Sequence, residues 1–215
     1  MMAKIKSKKF LLGAITVIVA GVLVIFGVTN QDTQRLSEDQ IMSLREEYPI
    51  CGIEQPFNGT METPSINEVK DTVDTFIYGT VVSDMKTFTR NVSTGNSELD
   101  AKRQSHGPSS QYEFYEYTIS VIEDTSGLYK AGDQLTIASN MDFIDFNPHL
   151  SKNMNVVVPV VRDKKEPARN YFGVFGMYYV TTDGYALSAF EENTMKMDSL
   201  SGVKVDALLN ELRSN

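Results

Sequence analysis

The sequence has few of the side chains that do covalent chemistry: of 215 residues, one is cysteine and two are histidine. A single cysteine, Cys51, rules out an intramolecular disulfide, so a domain outside the membrane must be held by its core alone. With His106 and His149 as the two imidazoles, a zinc site closes only if carboxylates complete it. A Ser/His/Asp arrangement has the same two bases to draw on. His106 lies beside hydroxyls in Ser105-His106-Gly107-Pro108-Ser109-Ser110, a stretch that reads as loop. Cys51 reads as a small residue tucked under a linker rather than as a nucleophile. No glycine-rich phosphate loop is present, since Gly173 and Gly176 fall within strand chemistry, where glycine marks a bend or close backbone approach. No repeat of fixed period appears. The sequence implies no cofactor and no catalytic residue.

Positive charge is scarce beyond the first nine residues. Lys4, Lys6, Lys8 and Lys9 leave 16 basic against 28 acidic residues in the rest of the chain, net −12. Such a surface repels phosphate backbones and anionic head groups, which argues against nucleic acid as a partner. Charge is missing altogether from residues 10–28, a nineteen-residue apolar run that opens at Phe10 and closes at Val28. At about 1.5 Å per residue it reaches about 28 Å as a helix, close to the ~30 Å hydrocarbon core of a bilayer. Lysines before it, and Asn30, Gln31 and Asp32 after it, hold the N-terminus in the cytoplasm and send the remainder across. A cleaved signal has a shorter apolar run and small residues at its exit, where this chain offers only Gly27. A lipoprotein anchor would need its cysteine at the end of the run, and Cys51 lies more than twenty residues beyond. The expectation is a single-pass protein of the cell membrane: cytoplasmic tail 1–9, transmembrane helix 10–29, helical linker 30–64 and an extracellular domain 65–215.

Along that exported part, Ser37-Glu38-Asp39-Gln40 has the form of a capping box and predicts a short helix stopping at Pro49. Pro64-Ser65 opens a second helix over 66–73. From Asp74 the period becomes two, and 76–82 predicts a strand. Residues 83–110 turn polar, with a ragged hairpin partner around 87–92 and then a loop. The clearest strand covers 112–123. Its Tyr115, Tyr117, Ile119 and Val121 form an inward face, and Tyr112, Phe114, Glu116, Thr118 and Ser120 an outward one. Further strands are expected at 134–138 and at 155–161, where Pro159 marks an edge or bulge. Strand chemistry at 171–182 is bent by its glycines. Asp183-Gly184 is a hairpin signal leading into 185–190. A helix over 201–212 carries the stripe Val205, Leu208, Leu209 and Leu212. The fold class is mainly β, a small barrel with short N-terminal helices and a C-terminal helix.

Four stretches together resemble a family: Ile66-Asn67-Glu68-Val69, then Asp74-Thr75-Phe76-Ile77-Tyr78-Gly79-Thr80-Val81-Val82, then Tyr117-Thr118-Ile119-Ser120-Val121-Ile122, then Tyr129-Lys130-Ala131-Gly132-Asp133-Gln134-Leu135-Thr136-Ile137. The pattern is similar to small domains, like the oligonucleotide/oligosaccharide-binding (OB) barrel, in uncharacterised membrane-anchored surface proteins of Gram-positive bacteria. It spans residues 65–190 and departs in the polar insertion at 84–110 and at 142–149. That family carries no assigned activity, so the resemblance implies an architecture and a location only.

Two stretches could carry binding. Asp142-Phe143-Ile144-Asp145-Phe146-Asn147-Pro148-His149 gathers oxygen ligands, and Asp142 and Asp145 are its candidate metal-binding carboxylates. The spacing matches no calcium loop, and the interleaved Phe143, Ile144 and Phe146 read more plainly as a surface loop dipping into a core. Tyr112 and Phe114, aromatic and on the outward face of the long strand, are the candidate ligand contacts on an acidic surface. The functional expectation is a membrane-anchored module that binds or scaffolds a cell-envelope protein or glycan. The alternative is a cell-envelope hydrolase whose carboxylates the sequence does not pair. The first requires an exposed aromatic or apolar patch, the second a cleft with facing carboxylates or a histidine beside a nucleophile.

Overall fold

The computed structural model describes residues 35–51, 64–91, 96–106, 111–164, 166, 169–173, 175–190 and 200–213. The apolar run at 10–28 lies outside the described residues, and among those described no helix is long and apolar enough to cross a membrane. Arg35 onward forms one compact unit, mainly β.

Its eight strands are β1 (Thr75–Val81), β2 (Lys86–Asn91), β3 (Gln111–Asp124), β4 (Gln134–Asn140), β5 (Asn155–Arg162), β6 (Arg169–Phe172), β7 (Tyr178–Val180) and β8 (Ala186–Ser188). Five of them close on themselves in the order β1-β3-β4-β6-β5 and back to β1. Every pairing in that ring is antiparallel except β4 with β6, which is parallel. The result is a closed five-stranded barrel whose strands have no free edge along the ring.

The alternation of β3 fixes what fills it. Tyr115, Tyr117, Ile119 and Val121 are buried, as the two-residue period requires, and Leu135, Ile137, Val156, Val158, Val160 and Phe172 meet them from neighbouring strands. The rings of Tyr115 and Phe172 meet edge to face at 5.9 Å. Gly79 sits where β1 bulges against β3. A Cβ there would lie 2.6 Å from the Ser120 carbonyl oxygen and would also strike Ile119, so glycine is what lets the two strands approach.

Between β4 and β5, a 3-10 turn (Met141–Phe143) leads to Phe146, Pro148 and Leu150, all buried. The loop thus enters the core just past Asp142 and Asp145. Asp124 ties the opposite turn down: its carboxylate accepts the Thr75 hydroxyl and the backbone N–H of Ser126 at 3.1 Å and of Tyr129 at 2.7 Å.

β1 and β5 are buried on both faces because a second layer covers the barrel there. That layer is built by α2 (Ile66–Thr72) and α4 (Val205–Arg213), while the β7–β8 hairpin, whose Gly184 takes φ 76°, continues the sheet from the edge of β5. The apolar stripe Val205, Leu208, Leu209 and Leu212 is buried, and the Lys70 ammonium bonds the Glu211 carbonyl at 2.9 Å, joining the two helices.

Pro159 lies in β5 and not at a sheet edge. β5 pairs with β7 through residues 155–157 and with β6 through 160–162, so the missing N–H falls where the strand changes partner. The strand expected at 171–182 divides for the same reason: β6 closes the barrel and β7 opens the hairpin that extends the sheet from β5, with Gly173 and Gly176 between them.

Two other expectations change. Residues 35–51 are not a linker but a strap packed on the domain. Ser37 and Gln40 make the reciprocal capping box of α1 (Glu38–Leu44), while Ile41 and Tyr48 join the core. The Leu36 N–H reaches the Gly202 carbonyl at 2.8 Å, and the Cys51 N–H reaches that of Ala189 at 2.9 Å. The stretch after β2, expected as loop, holds α3 (Ser97–His106), capped by Asn96.

Leu208 is fully buried, so Leu208→Ala should lower unfolding free energy by about 2 to 5 kcal/mol in urea melts. A loss below about 0.5 kcal/mol would place the stripe of α4 off the core.

Candidate functional site

The outward face of β3 builds a cluster that combines aromatic rings with several charges on the barrel exterior. In the β2–β3–β4 ladder Phe114 stands opposite Phe88 on one side and Asn140 on the other. Glu116 stands opposite Lys86 and Ala138, and Ala138 in turn opposite Tyr171 of β6. Because Ala138 is small, the Tyr171 ring can lean across β4 toward β3. Phe88 and Phe114 stack at 5.4 Å between centroids, and Phe114 meets Tyr171 at 5.8 Å.

Charge borders the rings. The Arg90 guanidinium donates to Asp163 at 2.5 Å and to the Tyr171 hydroxyl, and lies 3.5 Å from Glu166. Arg169 bonds Glu116 at 3.3 Å and Glu166 at 2.7 Å, with its guanidinium 4.0 Å over the Phe88 ring. Glu166 therefore bridges two arginines, one from β2 and one from β6, and ties the turn after β5 to both. The Asp163 hydrogen bond, more than any other influence, holds Arg90 above its ordinary pKa. Burial raises the Tyr171 phenol.

This arrangement corrects one expectation. Phe114 does face away from the barrel interior, yet it is only 8% exposed, because Phe88 and Tyr171 cover it. It supports the patch from beneath. Tyr112, opposite Arg90, is half-buried, as are Phe88 and Tyr171. Sequence reading missed Arg90, Asp163 and Arg169. The available signal was the alternation Lys86, Phe88, Arg90 against Thr87 and Thr89, which continues the outward face of β3 onto β2.

The other candidates sit elsewhere. Asp142 and Asp145 are exposed, and the Asp142 N–H is capped by the Asn140 side chain at 3.0 Å. Asn147, from the same loop, turns inward and donates to Ser139 at 2.9 Å and to the Tyr115 hydroxyl. His149 is exposed, whereas the side chain of His106 lies outside the described residues. Among the described residues no three His, Cys, Asp or Glu side chains gather to hold a metal ion. Cys51 is half-buried with its sulfur 3.8 Å from the Tyr179 hydroxyl, and desolvation pushes its thiol up, away from the thiolate that nucleophilic chemistry needs. The chain matches no protein-family model, and no curated protein matches it.

Two outcomes follow from these geometries. Asp163 is buried, so Arg90→Met, which leaves it without its guanidinium, should cost about 2 to 4 kcal/mol, and Arg90→Lys should recover only part of that in urea melts. A cost under about 0.5 kcal/mol would mean that the ion pair contributes nothing.

The second concerns alkaline pH. Desolvation pushes Tyr115 up to about 12 from 10.0, and burial raises Tyr117 and Tyr179 as well. Their neutral forms favour the fold, so this stability is complete below about pH 10 and is lost as pH rises through about 12. Phenolate absorbance from these rings should appear together with loss of near-ultraviolet circular dichroism. Full titration of all ten tyrosines by about pH 11 in a folded protein would contradict it.

Proposed function

We propose that this protein is a single-pass, membrane-anchored binding or scaffolding module whose folded domain stands outside the cell and contacts a cell-envelope component. The anchor rests on residues 10–28 and the lysines before them. The barrel has the OB arrangement: five strands in the order first-second-third-fifth-fourth, the parallel pair joining third to fifth. In such barrels the face of the second and third strands, with the first-to-second and fourth-to-fifth connections, forms the usual contact surface. Here those parts are β3 and β4, the insertion carrying β2 and α3, and the turn bearing Asp163 and Glu166.

The observation that carries the reading is the preorganised outer patch. Phe88 and Tyr171 stand half-exposed over a buried Phe114, with the half-exposed Tyr112 two residues along the same face of β3, flanked by arginines that ion pairs hold in place. Aromatic rings fixed in this way offer contact area at little entropic cost. The carboxylates beside them each engage an arginine, which suits a contact surface and gives the hydrolase alternative no support.

The test has two parts. In intact cells with an accessible surface, added protease should digest the domain and spare the N-terminal tail, whereas complete protection would overturn the topology. Tyr112→Ala in the full chain should lower co-sedimentation with purified envelope fragments about tenfold, with the melting temperature moving only a few degrees. Unchanged co-sedimentation would remove this patch as the contact.

A further inference from the structure

We propose that the open edge of β2 is a strand-addition site for an extended, acidic segment of a partner protein. The inference rests on the binding-module reading and names its partner class.

β3 is fourteen residues long, and the barrel does not need all of it. Residues 119–124 pair with β1, while 111–116 pair on that same side with β2. β2 therefore extends the sheet past the rim of the barrel, in the position that β1 takes further along. It pairs with β3 alone, and among the described residues no backbone hydrogen bond reaches its other edge. In an antiparallel ladder alternate residues turn their N–H and C=O outward, so this edge offers main-chain donors and acceptors to an added strand.

The side chains select what can be added. On the outward face Phe88 is flanked by Lys86 and Arg90 two residues to either side, and on the other face Thr87 and Thr89 are exposed. Residues 86–106 carry Lys86, Arg90, Lys102 and Arg103 against Glu98 and Asp100, net +2, within an exported part of net −12. A second copy pairing antiparallel about Phe88 would set Lys86 against Arg90 twice, and like charges directly opposite destabilise a ladder. Charged edges of this kind block indiscriminate pairing. An extended segment with carboxylates at alternate positions meets the opposite condition: its acids face Lys86 and the rim of Arg90, its central apolar residue faces Phe88, and its backbone completes the ladder. Arg90 is already engaged with Asp163 and Glu166, so Lys86 is the cleaner residue to reverse.

The full chain in nanodiscs of neutral lipid can be panned against a random nonapeptide phage library. Enriched peptides should carry Asp or Glu at alternate positions and should slow amide hydrogen exchange within residues 86–91. Their affinity should fall about tenfold in Lys86→Glu, and not in Lys130→Glu, an exposed lysine in the turn before β4. Peptides without acidic bias, protection away from β2, or affinity unchanged by Lys86→Glu would overturn the proposal. So would protection of 86–91 that grows with protein concentration in the absence of peptide, which would make the occupant a second copy. If panning yields no peptides while Tyr112→Ala still abolishes envelope co-sedimentation, the edge proposal fails and the binding module stands. If neither holds, both fail.

Discussion

The constraint on which the rest of the structure depends is closure of the sheet through the parallel pairing of β4 with β6. A sheet of so few strands encloses a small interior that side chains fill, with rings such as Tyr115 and Phe172 packed edge to face. Closure also dictates where the chain cannot be uniform. Gly79 is needed where β1 and β3 press together, and Pro159 falls where β5 changes partner from β7 to β6. The two residues that weaken a strand most stand where regular pairing is interrupted anyway.

Closure separates the molecule into faces with different work. The outside of β1 and β5 is covered by α2 and α4, beside the β7–β8 hairpin that extends the sheet from β5, and all of these share one apolar core with the barrel interior. The outside of β3, β4 and β6 carries rings organised by charge. Arg90 and Arg169 link β2, the turn after β5 and β6 into one surface through Asp163, Glu116 and Glu166. Apart from the pair made by the buried Asp163, ion pairs this close to solvent contribute modestly to stability. Their larger effect is to fix the orientation of Phe88 and Tyr171, which is what a recognition surface requires.

Much of this architecture is legible in local pattern. The two-residue period of β3 sets which of its residues point inward, and the Asp183-Gly184 turn and the stripe of α4 announce their elements directly. What pattern cannot convey is pairing at a distance. The burial of Phe114 depends on Phe88 and Tyr171, 26 and 57 residues away in sequence, and on the small Ala138 between strands. The strap at 35–51 looks like a linker because the burial of Ile41 and Tyr48 comes only from the surface they cover. The ion pairs of Arg90 with Asp163 and Glu166 likewise join residues distant in sequence, which no local pattern announces.

Closure can be tested without reference to function. In the full-length protein, nuclear Overhauser contacts should connect residues 136–138 with 169–171 in the parallel pattern, with Ile137 opposite Asn170. The same spectra should show Val160 opposite Phe172 in the antiparallel pattern. Together with the antiparallel contacts of β1 with β5 and β3, and of β3 with β4, both sets mean a closed ring. Contacts from β6 to β5 with none to β4, or an antiparallel pattern between β4 and β6, would leave the sheet open and contradict the account.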